Sequence, residues 1–376
     1  MKKDNFGAIV ISAGYSSRMK GFKPLLKFGE YTAVENVVNT LKASGINNII
    51  VVVGHRANEI IETLKDSGVK CVKNENYSEG MFSSIVTGVK ALDDTIDGFF
   101  MLPVDIPLVK KHTIEKLKRE YLKCNKGIIY PSFKFELGHP PLIHPKYKDE
   151  IINSDGEGGL KRVLEKYKRD SINIPVCDKS ILMDMDTRED YEKLREYFNF
   201  NSPTIEECYC ILGLYDVPYN IIRHCEEVEK IALKILKKLN ERGCNFNRNV
   251  VRASALLHDL ARSEKDHAVA GAKIVKDLGY EHVGKIISTH MDIEVHENSE
   301  ITENEILYLA DKLVKEDRYV ELQERFSEYS MKFCEDNLAL KKVEKRFEDA
   351  EKIQEKIVKL TGEKFYLYTK ELLNYE

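Results

Sequence analysis

The hydrophobic period of this chain changes once, near residues 199–204 (NFNSPT), and that change constrains the fold more than any other feature. Before it, short apolar runs alternate with segments of helical pattern. After it, from Ile205 onward, apolar residues recur at i, i+3, i+4 and i+7, the stripe of a helix packed on one side. Ser202-Pro203 in a polar stretch ahead of a new helix reads as a boundary. A length of 376 residues also exceeds what one hydrophobic core usually serves. The expectation is two domains, residues 1–200 of α/β type and 201–376 all-α.

In the first part, residues 8–13 (AIVISA), 48–54 (NIIVVVG), 69–73 and 98–105 (GFFMLPVD) read as strands, and 33–44, 57–66 and 83–92 as helices. This βαβ rhythm predicts a parallel sheet with helices on both faces. Such sheets bind ligands at the carboxyl ends of their strands, so the loops opening at Gly14 and Asp105 are where chemistry is sought. The first of these runs from Ala13 to Leu26 (AGYSSRMKGFKPLL). It has neither the GxxxxGK[ST] nor the GxGxxG spacing. Its small residues let backbone N–H groups approach phosphate oxygens, and Arg18 and Lys23 add two charges. A solvated basic loop accounts for these features equally well.

The second part places ligand-type residues on apolar faces. His224 shares a helical stripe with Val228, Ile231, Ala232, Ile235 and Leu239. His290 follows Val283, Ile286 and Ile287, while His258-Asp259 follows Ala255-Leu256-Leu257. Asp311 shares a face with Leu307, Ala310 and Val314. Any one of these histidines reads as a hydrogen-bonded core residue. Together with inward-facing aspartates they do not, because a buried carboxylate must be paired or bound to metal.

Charge and cysteine usage narrow the classes. A net charge of −4 argues against a nucleic-acid partner, which calls for a basic surplus. Small anionic substrates need only local positive charge. The eight cysteines are scattered, Cys71, Cys124, Cys177, Cys208, Cys210, Cys225, Cys244 and Cys334, and read as reduced thiols. No run approaches a membrane span or a signal peptide, so the expectation is a soluble cytoplasmic protein.

The loop Ala13-Gly14-Tyr15-Ser16-Ser17-Arg18-Met19, with Lys23, Leu25 and Leu26, resembles the signature of the MobA/MocA-like nucleotidyltransferases. Ser12 stands where that signature has alanine, and Lys20 where it has glycine. Four further stretches continue the likeness in order: Asn76 with Gly80–Ile85 (GMFSSI), Pro103–Pro107 (PVDIP), Gly138-His139-Pro140, and Asp184–Asp190 (DMDTRED). The resemblance spans nearly all of residues 6–197. It implies a Rossmann-like, GT-A-type sheet and Mg²⁺-dependent transfer of a nucleotidyl group with release of pyrophosphate. It implies Ala13, Gly14, Arg18, Lys23, Asn76, Gly80 and Ser83 as nucleotide contacts, Arg18, Lys23 and Asp105 as catalytic residues, and Asp105 and Asp186 as Mg²⁺ ligands. Asp184 is a weaker ligand candidate, and a turn or helix-cap role is the ordinary alternative for Asp105 and Asp186. The Ala13-Gly14 form and the Lys23-Pro24-Leu25-Leu26 ending are closer to the cytidylyltransferase branch, which implies CTP as donor and molybdopterin as acceptor. A sugar or alcohol phosphate is the alternative acceptor. His139 lies where a pterin pocket would be, or is a structural turn residue.

His224, His258-Asp259 and Asp311 resemble the HD superfamily of metal phosphohydrolases, over about residues 217–320. His267 and His290 match the extra histidines of members with two metals, and Tyr308–Lys312 (YLADK) resembles the YqeK-like, HDIG-type group. The implied ligand set is His224, His258, Asp259 and Asp311 on one metal, and His267 and His290 on a second, with Asp259 shared and catalytic. Imidazole with carboxylate suits Fe or Mn among divalent ions. Such a centre supplies a nucleophile for attack on phosphorus at neutral pH. Arg262 and Lys312 are candidates to receive substrate phosphate. A nucleotide-sensing role for this domain is the alternative to hydrolysis.

Overall fold

The computed structural model describes residues 4–19, 21–296, 299–332 and 336–362; Lys20, Cys334 and residues 363–376 lie outside them. The chain divides into two compact units, Met1–Asn199 and Phe200–Glu376.

In the first unit the elements are β1 (Phe6–Ser12), β2 (Lys27–Phe28), β3 (Tyr31–Thr32), α1 (Ala33–Ala43), β4 (Asn48–Val53), α2 (Ala57–Leu64), β5 (Lys70–Lys73), α3 (Met81–Ala91), β6 (Gly98–Pro103), α4 (Lys111–Lys123), β7 (Ile128–Phe133), β8 (Glu136–Leu137), β9 (Leu142–Ile143), α5 (Lys148–Ile152), α6 (Gly159–Glu165), β10 (Ser171–Pro175) and α7 (Arg188–Asn199). The main sheet has the order β10-β7-β9-β6-β1-β4-β5. Strand β1 lies inside it, between and parallel to β4 and β6, with Ile9 opposite Ile50 and Met101. All seven β1 residues are buried, as a strand covered on both faces must be.

The expectation of a parallel sheet needs one amendment. Strand β9 runs antiparallel between β6 and β7, so the sheet is mixed. At two residues β9 is too short for its period to show in sequence. Helix α3 lies unusually close to the sheet. A Cβ on Gly88 would stand 2.4 Å from Ile9 Cγ2 and 3.0 Å from Val52 Cγ2, so no larger residue fits without displacement.

A buried carboxylate pins α4. Asp178 is fully buried and accepts from Lys110 N–H at 2.9 Å, Thr113 Oγ1 at 2.7 Å and Ser180 N–H at 3.1 Å, with the Lys110 ammonium at 3.1 Å. Burial alone would raise its pKa, but Lys110, His112 and these hydrogen bonds outweigh it and hold the carboxyl at about 2.

The second unit is helical: α8 (Ile205–Leu214), α9 (Tyr219–Glu241), α10 (Arg248–Leu257), α11 (His267–Asp277), α12 (Glu281–Ile287), α13 (Glu303–Lys312), α14 (Leu322–Lys332) and α15 (Asn337–Thr361). One small hairpin, β11 (Val314–Lys315) with β12 (Arg318–Tyr319), interrupts the helices. Helix α8 opens with a capping box, Thr204 with Glu207, and α13 with another, Thr302 with Glu305. The stripe read on α9 is buried, His224 with Val228, Ile231, Ala232, Ile235 and Leu239. Lys356 of α15 reaches Glu305 of α13 at 2.6 Å, with both side chains nearly buried. Among the described residues, no helix is long and apolar enough to cross a membrane.

Candidate functional sites

The first site gathers at the carboxyl ends of β1 and β6, because that is where both strands release their chains. After β1, Ser16 takes a left-handed conformation (φ 57°) and folds the loop back. Its carbonyl accepts from Met19 N–H at 3.0 Å and its hydroxyl from Lys23 N–H at 3.1 Å. Strand β6 ends at Pro103 and turns through Asp105, whose carbonyl accepts from Met185 N–H at 2.8 Å. That bond brings the 184–186 loop to the strand end.

The Lys23 ammonium then stands 2.6 Å from Asp186 Oδ1 and 3.7 Å from Asp105 Oδ2, and Arg18 lies 3.5 Å from Asp186. Burial, and then the charges of Asp186 and Asp184, push the Asp105 carboxyl up against the pull of Lys23. Two carboxylates therefore converge on one cation position, which fits a hard divalent ion as well as an ammonium. The site is open, with the Arg18 side chain 79% exposed and that of Asp186 41% exposed.

The remaining residues of the loop set divide by position. Ala13 is buried, and its carbonyl accepts from His55 N–H, so only its backbone lies at the site. Beside Gly14 the space is open. Ser83 Oγ donates to the carbonyls of Gly80 and Asn76, which holds the start of α3 in shape. Asn76 is exposed; the hub of this loop is buried Asn74, which donates to Ser83 Oγ and Ser84 Oγ at 2.8 and 2.9 Å and accepts from Asn76 N–H. Sequence reading passed over Asn74, and its place directly after β5 was the available signal. His139 is largely buried, which lowers its pKa and favours the neutral imidazole. His55 packs among Tyr15, Phe22 and Tyr77.

In the second unit, six side chains from separate helices and helix ends come together. His258 follows α10 and His290 follows α12, where the last carbonyls lack intrahelical partners. Each imidazole caps such a carbonyl: His258 Nδ1–H donates to Ala255 and His290 Nδ1–H to Ile287, both at 2.8 Å. His224 Nδ1–H donates to the Glu316 carbonyl at 2.7 Å, in a hairpin turn where Glu316 is left-handed (φ 55°). A carbonyl only accepts, so Nδ1 carries a proton, and in the neutral form of each ring Nε2 presents its lone pair to the cluster.

Around Asp259 two groups form: His224, His258 and Asp259, and Asp259, His267 and His290. Asp259 Oδ2 lies 4.0 Å from His224 Nε2 and 3.7 Å from His258 Nε2. Its Oδ1 lies 3.3 Å from His267 Nε2 and 3.5 Å from His290 Nε2. Asp311 Oδ1 closes the first group, 3.1 Å from His224 and 3.7 Å from His258.

The arrangement fits metal ions. His258 Nε2 is buried and has no hydrogen-bond partner, yet two carboxylate oxygens face it at 3.7 Å, beyond hydrogen-bond reach. His267 and His290 point Nε2 at each other across 3.2 Å. Burial would raise the Asp259 carboxyl, but the His258, His267 and His290 imidazoles around it hold it well below the usual range. Burial lowers the pKa of His290. Anionic carboxylates beside an imidazole kept neutral are the states that bind metal. Lys312 is buried, 2.6 Å from Asp311 Oδ2, and donates to the His290 carbonyl; Arg262 lies 3.3 Å from Asp259 Oδ1. Sequence reading missed Arg325 of α14, 3.9 Å from Asp311, because nothing in its own segment marks it.

Residues 8–171 match the family described as the MobA-like NTP transferase domain, and residues 221–315 match the HD domain. Among curated proteins, the chain is 24% identical over 200 residues to the bifunctional protein GlmU of Staphylococcus haemolyticus, covering 52% of this chain and 42% of that protein. It is 33% identical over 133 residues to a bifunctional IPC transferase and DIPP synthase of Rubrobacter xylanophilus, covering 34% of this chain and 29% of that protein. It thus spans less than half the length of these relatives. A solved structure, a nucleotidyl transferase from Methanothermobacter, is 22% identical with a TM-score of 0.46, covering 52% of this chain and 98% of that one. The chain carries a MobA-like NTP transferase domain followed by an HD domain.

Proposed function

We propose that the chain is a bifunctional enzyme. Its first unit transfers a nucleotidyl group from a nucleoside triphosphate, CTP for preference, to a phosphorylated acceptor, with molybdopterin as the leading candidate. Its second unit hydrolyses a phosphate ester or anhydride. The observation that carries the first activity is the convergence of Lys23, Asp105 and Asp186 at the strand ends.

In the transfer, an acceptor phosphate oxygen forms a bond to the α-phosphorus while the bond to the β-phosphate oxygen breaks, and pyrophosphate leaves. There is little covalent work for protein groups, so positioning and charge neutralisation dominate. Gly14 leaves room for phosphate, Arg18 and Lys23 meet its charge, and Asp105 and Asp186 would hold Mg²⁺, which neutralises phosphate oxygens when bound. Purified protein with CTP, Mg²⁺ and molybdopterin should release pyrophosphate. No release with any triphosphate and any acceptor would sink the transferase reading.

A second reading keeps the transferase but gives it a sugar- or alcohol-phosphate acceptor, with the HD unit as a nucleotide sensor. What favours it is the likeness to a relative named for an IPC transferase and DIPP synthase rather than for molybdopterin chemistry. Exchanging the acceptor in the same assay decides between the two.

For the second unit the supporting observation is one carboxylate, Asp259, turning its two oxygens to two histidine groups. His224, His258, Asp259 and Asp311 would hold one metal, and Asp259, His267 and His290 another. Metals so placed supply Lewis acidity and activated water. The protein's own part is to fix the imidazoles through backbone carbonyls and to keep the aspartates anionic. Metal-loaded protein that hydrolyses no nucleotide, while a nucleotide alters the transfer rate, would favour the sensor.

A further inference from the structure

The HD cluster opens into a cavity of about 890 Å³, where His224, Asp259 and Asp311 form part of the lining. A phosphoryl group with its metals fills little of such a space, which is of the size that encloses a whole small-molecule ligand. Another part of the lining is apolar: Met291 after α12, Phe326 of α14 and Val343 of α15. Phe326 and Val343 lie beyond residue 315, where the HD match ends, so this wall comes from outside the matched segment. Phe326 is buried and packs on Phe347, with 5.1 Å between ring centroids.

The start of α9 supplies a different surface. Its first two turns put Tyr219, Asn220, Ile221, Arg223 and His224 on the cavity. Residues four apart on a helix stand one above the other, so two rows result, Asn220 with His224 and Tyr219 with Arg223. The first row ends on the buried His224 imidazole, and the second begins on an aromatic side chain 72% exposed. A lone exposed tyrosine is ordinary on a protein surface. Tyr219 differs in its place: it is a cavity wall, about 7.5 Å along the helix axis from His224. A ribose and its 5′ ester bridge a gap of that order between a base and a phosphorus. The ring also stands on rigid backbone. Pro218 restricts φ ahead of the helix, and its carbonyl accepts from Ile221 N–H at 2.9 Å and Ile222 N–H at 3.1 Å.

Resting on the hydrolase reading above, we infer that Tyr219 is the platform on which the base of a nucleoside phosphate stacks, with the phosphate at the ligands around Asp259. Every base has a π-face, so an aromatic ring at this position selects nucleotides over other phosphate esters without choosing among bases. The contribution comes from the ring face and not from the hydroxyl. Tyr219 is a binding residue and takes no part in proton transfer.

The chain has no tryptophan, so Tyr219→Trp places a single indole at the cavity. The full chain carrying this change, loaded with Mn²⁺, is mixed by stopped flow with AMP, GMP, CMP or UMP and read before turnover. Nucleotide should quench the indole fluorescence, whereas ribose 5-phosphate, which carries the same phosphate and no base, should not. The quench should persist when Lys23→Ala weakens the nucleotide site of the first unit. In that Lys23→Ala background, calorimetry with Tyr219 intact should show the best nucleotide binding about tenfold tighter than ribose 5-phosphate. Tyr219→Ala should bring the two within about twofold, and Tyr219→Phe should keep the preference. Absence of quenching by all four nucleotides overturns the inference, as does equal quenching by ribose 5-phosphate. So does a quench lost with Lys23→Ala, or a Tyr219→Ala protein that keeps the preference. If quench and preference are as expected but no nucleotide is cleaved, the hydrolase reading fails and the base platform stands. Cleavage of nucleotides without any quench keeps the hydrolase and removes the platform.

Discussion

The two sites meet the problem of concentrated charge in opposite ways. In the HD unit the polar groups are buried and held before any ligand arrives: the His258 side chain is fully buried, that of Asp259 is 3% exposed, and Nδ1 of His224, His258 and His290 is fixed on a backbone carbonyl. In the transferase unit the groups sit on loops at strand ends, Arg18 and Asp186 are open to water, and an internal ammonium occupies the cation position. A buried cluster is preorganised and, on the reading proposed above, would depend on a metal, because carboxylates and lone pairs facing one another are unstable without a cation. An open, lysine-bridged site tolerates being empty, and a metal held by Asp105 and Asp186 as proposed would have to displace the Lys23 ammonium.

The largest expected effect tests whether one carboxylate serves both histidine groups. Asp259→Ala should lower bound metal from two ions per chain to none and reduce hydrolysis by about 10³-fold or more, while leaving nucleotidyl transfer intact. Elemental analysis beside both assays reads this, and a variant retaining both ions would break the bridging assignment.

Next comes metal removal. A chelator should lower the melting transition of the second unit, on the order of 4 kcal/mol if the ion is present at a thousand times its dissociation constant. The first unit, followed by hydrogen exchange on β1 and β4, should not change. Equal loss in both units would erase the contrast between the two sites.

Lys23→Ala should lower kcat/KM for transfer by about 10²-fold, and arginine should not restore it, since the slot between Asp105 and Asp186 is built around a compact ammonium. Thermal stability should hardly move, because Asp186 is solvated. A large drop in stability with little kinetic effect would make Lys23 a structural residue.

The smallest effect concerns pH. Asp178 is held at about 2 against an ordinary 3.8, so its contribution is fully present above pH 4 and is lost as pH falls toward 2. The shift corresponds to roughly 2 kcal/mol at neutral pH. Asp178→Asn should remove that amount and flatten the acid limb of the first unit's stability curve. An unchanged acid limb would show that other carboxylates set it.

Much of the fold was legible because burial leaves a periodic trace. The apolar runs of β1, β4 and β6 and the α9 stripe are long enough to carry their period, and the change of period near residue 200 separates two kinds of packing. The two-residue strand β9 and the β11–β12 hairpin are too short to leave one. The same limit hid Asn74 and Arg325. Each is an ordinary polar residue in its own segment and matters only through groups far away in sequence.

The sequence by itself determined that His224, His258, Asp259, His290 and Asp311 sit on or beside apolar faces, because helical spacing alone turns them inward. It also determined a basic, small-residue loop after the first strand. Only the tertiary structure decided which oxygen of Asp259 faces which histidines, that backbone carbonyls orient the rings, and that Lys23 stands between Asp105 and Asp186. Local periodicity sets the direction of a side chain relative to its own helix or strand. Distances of a few ångströms between separate elements come from how those elements pack, and no local pattern encodes them.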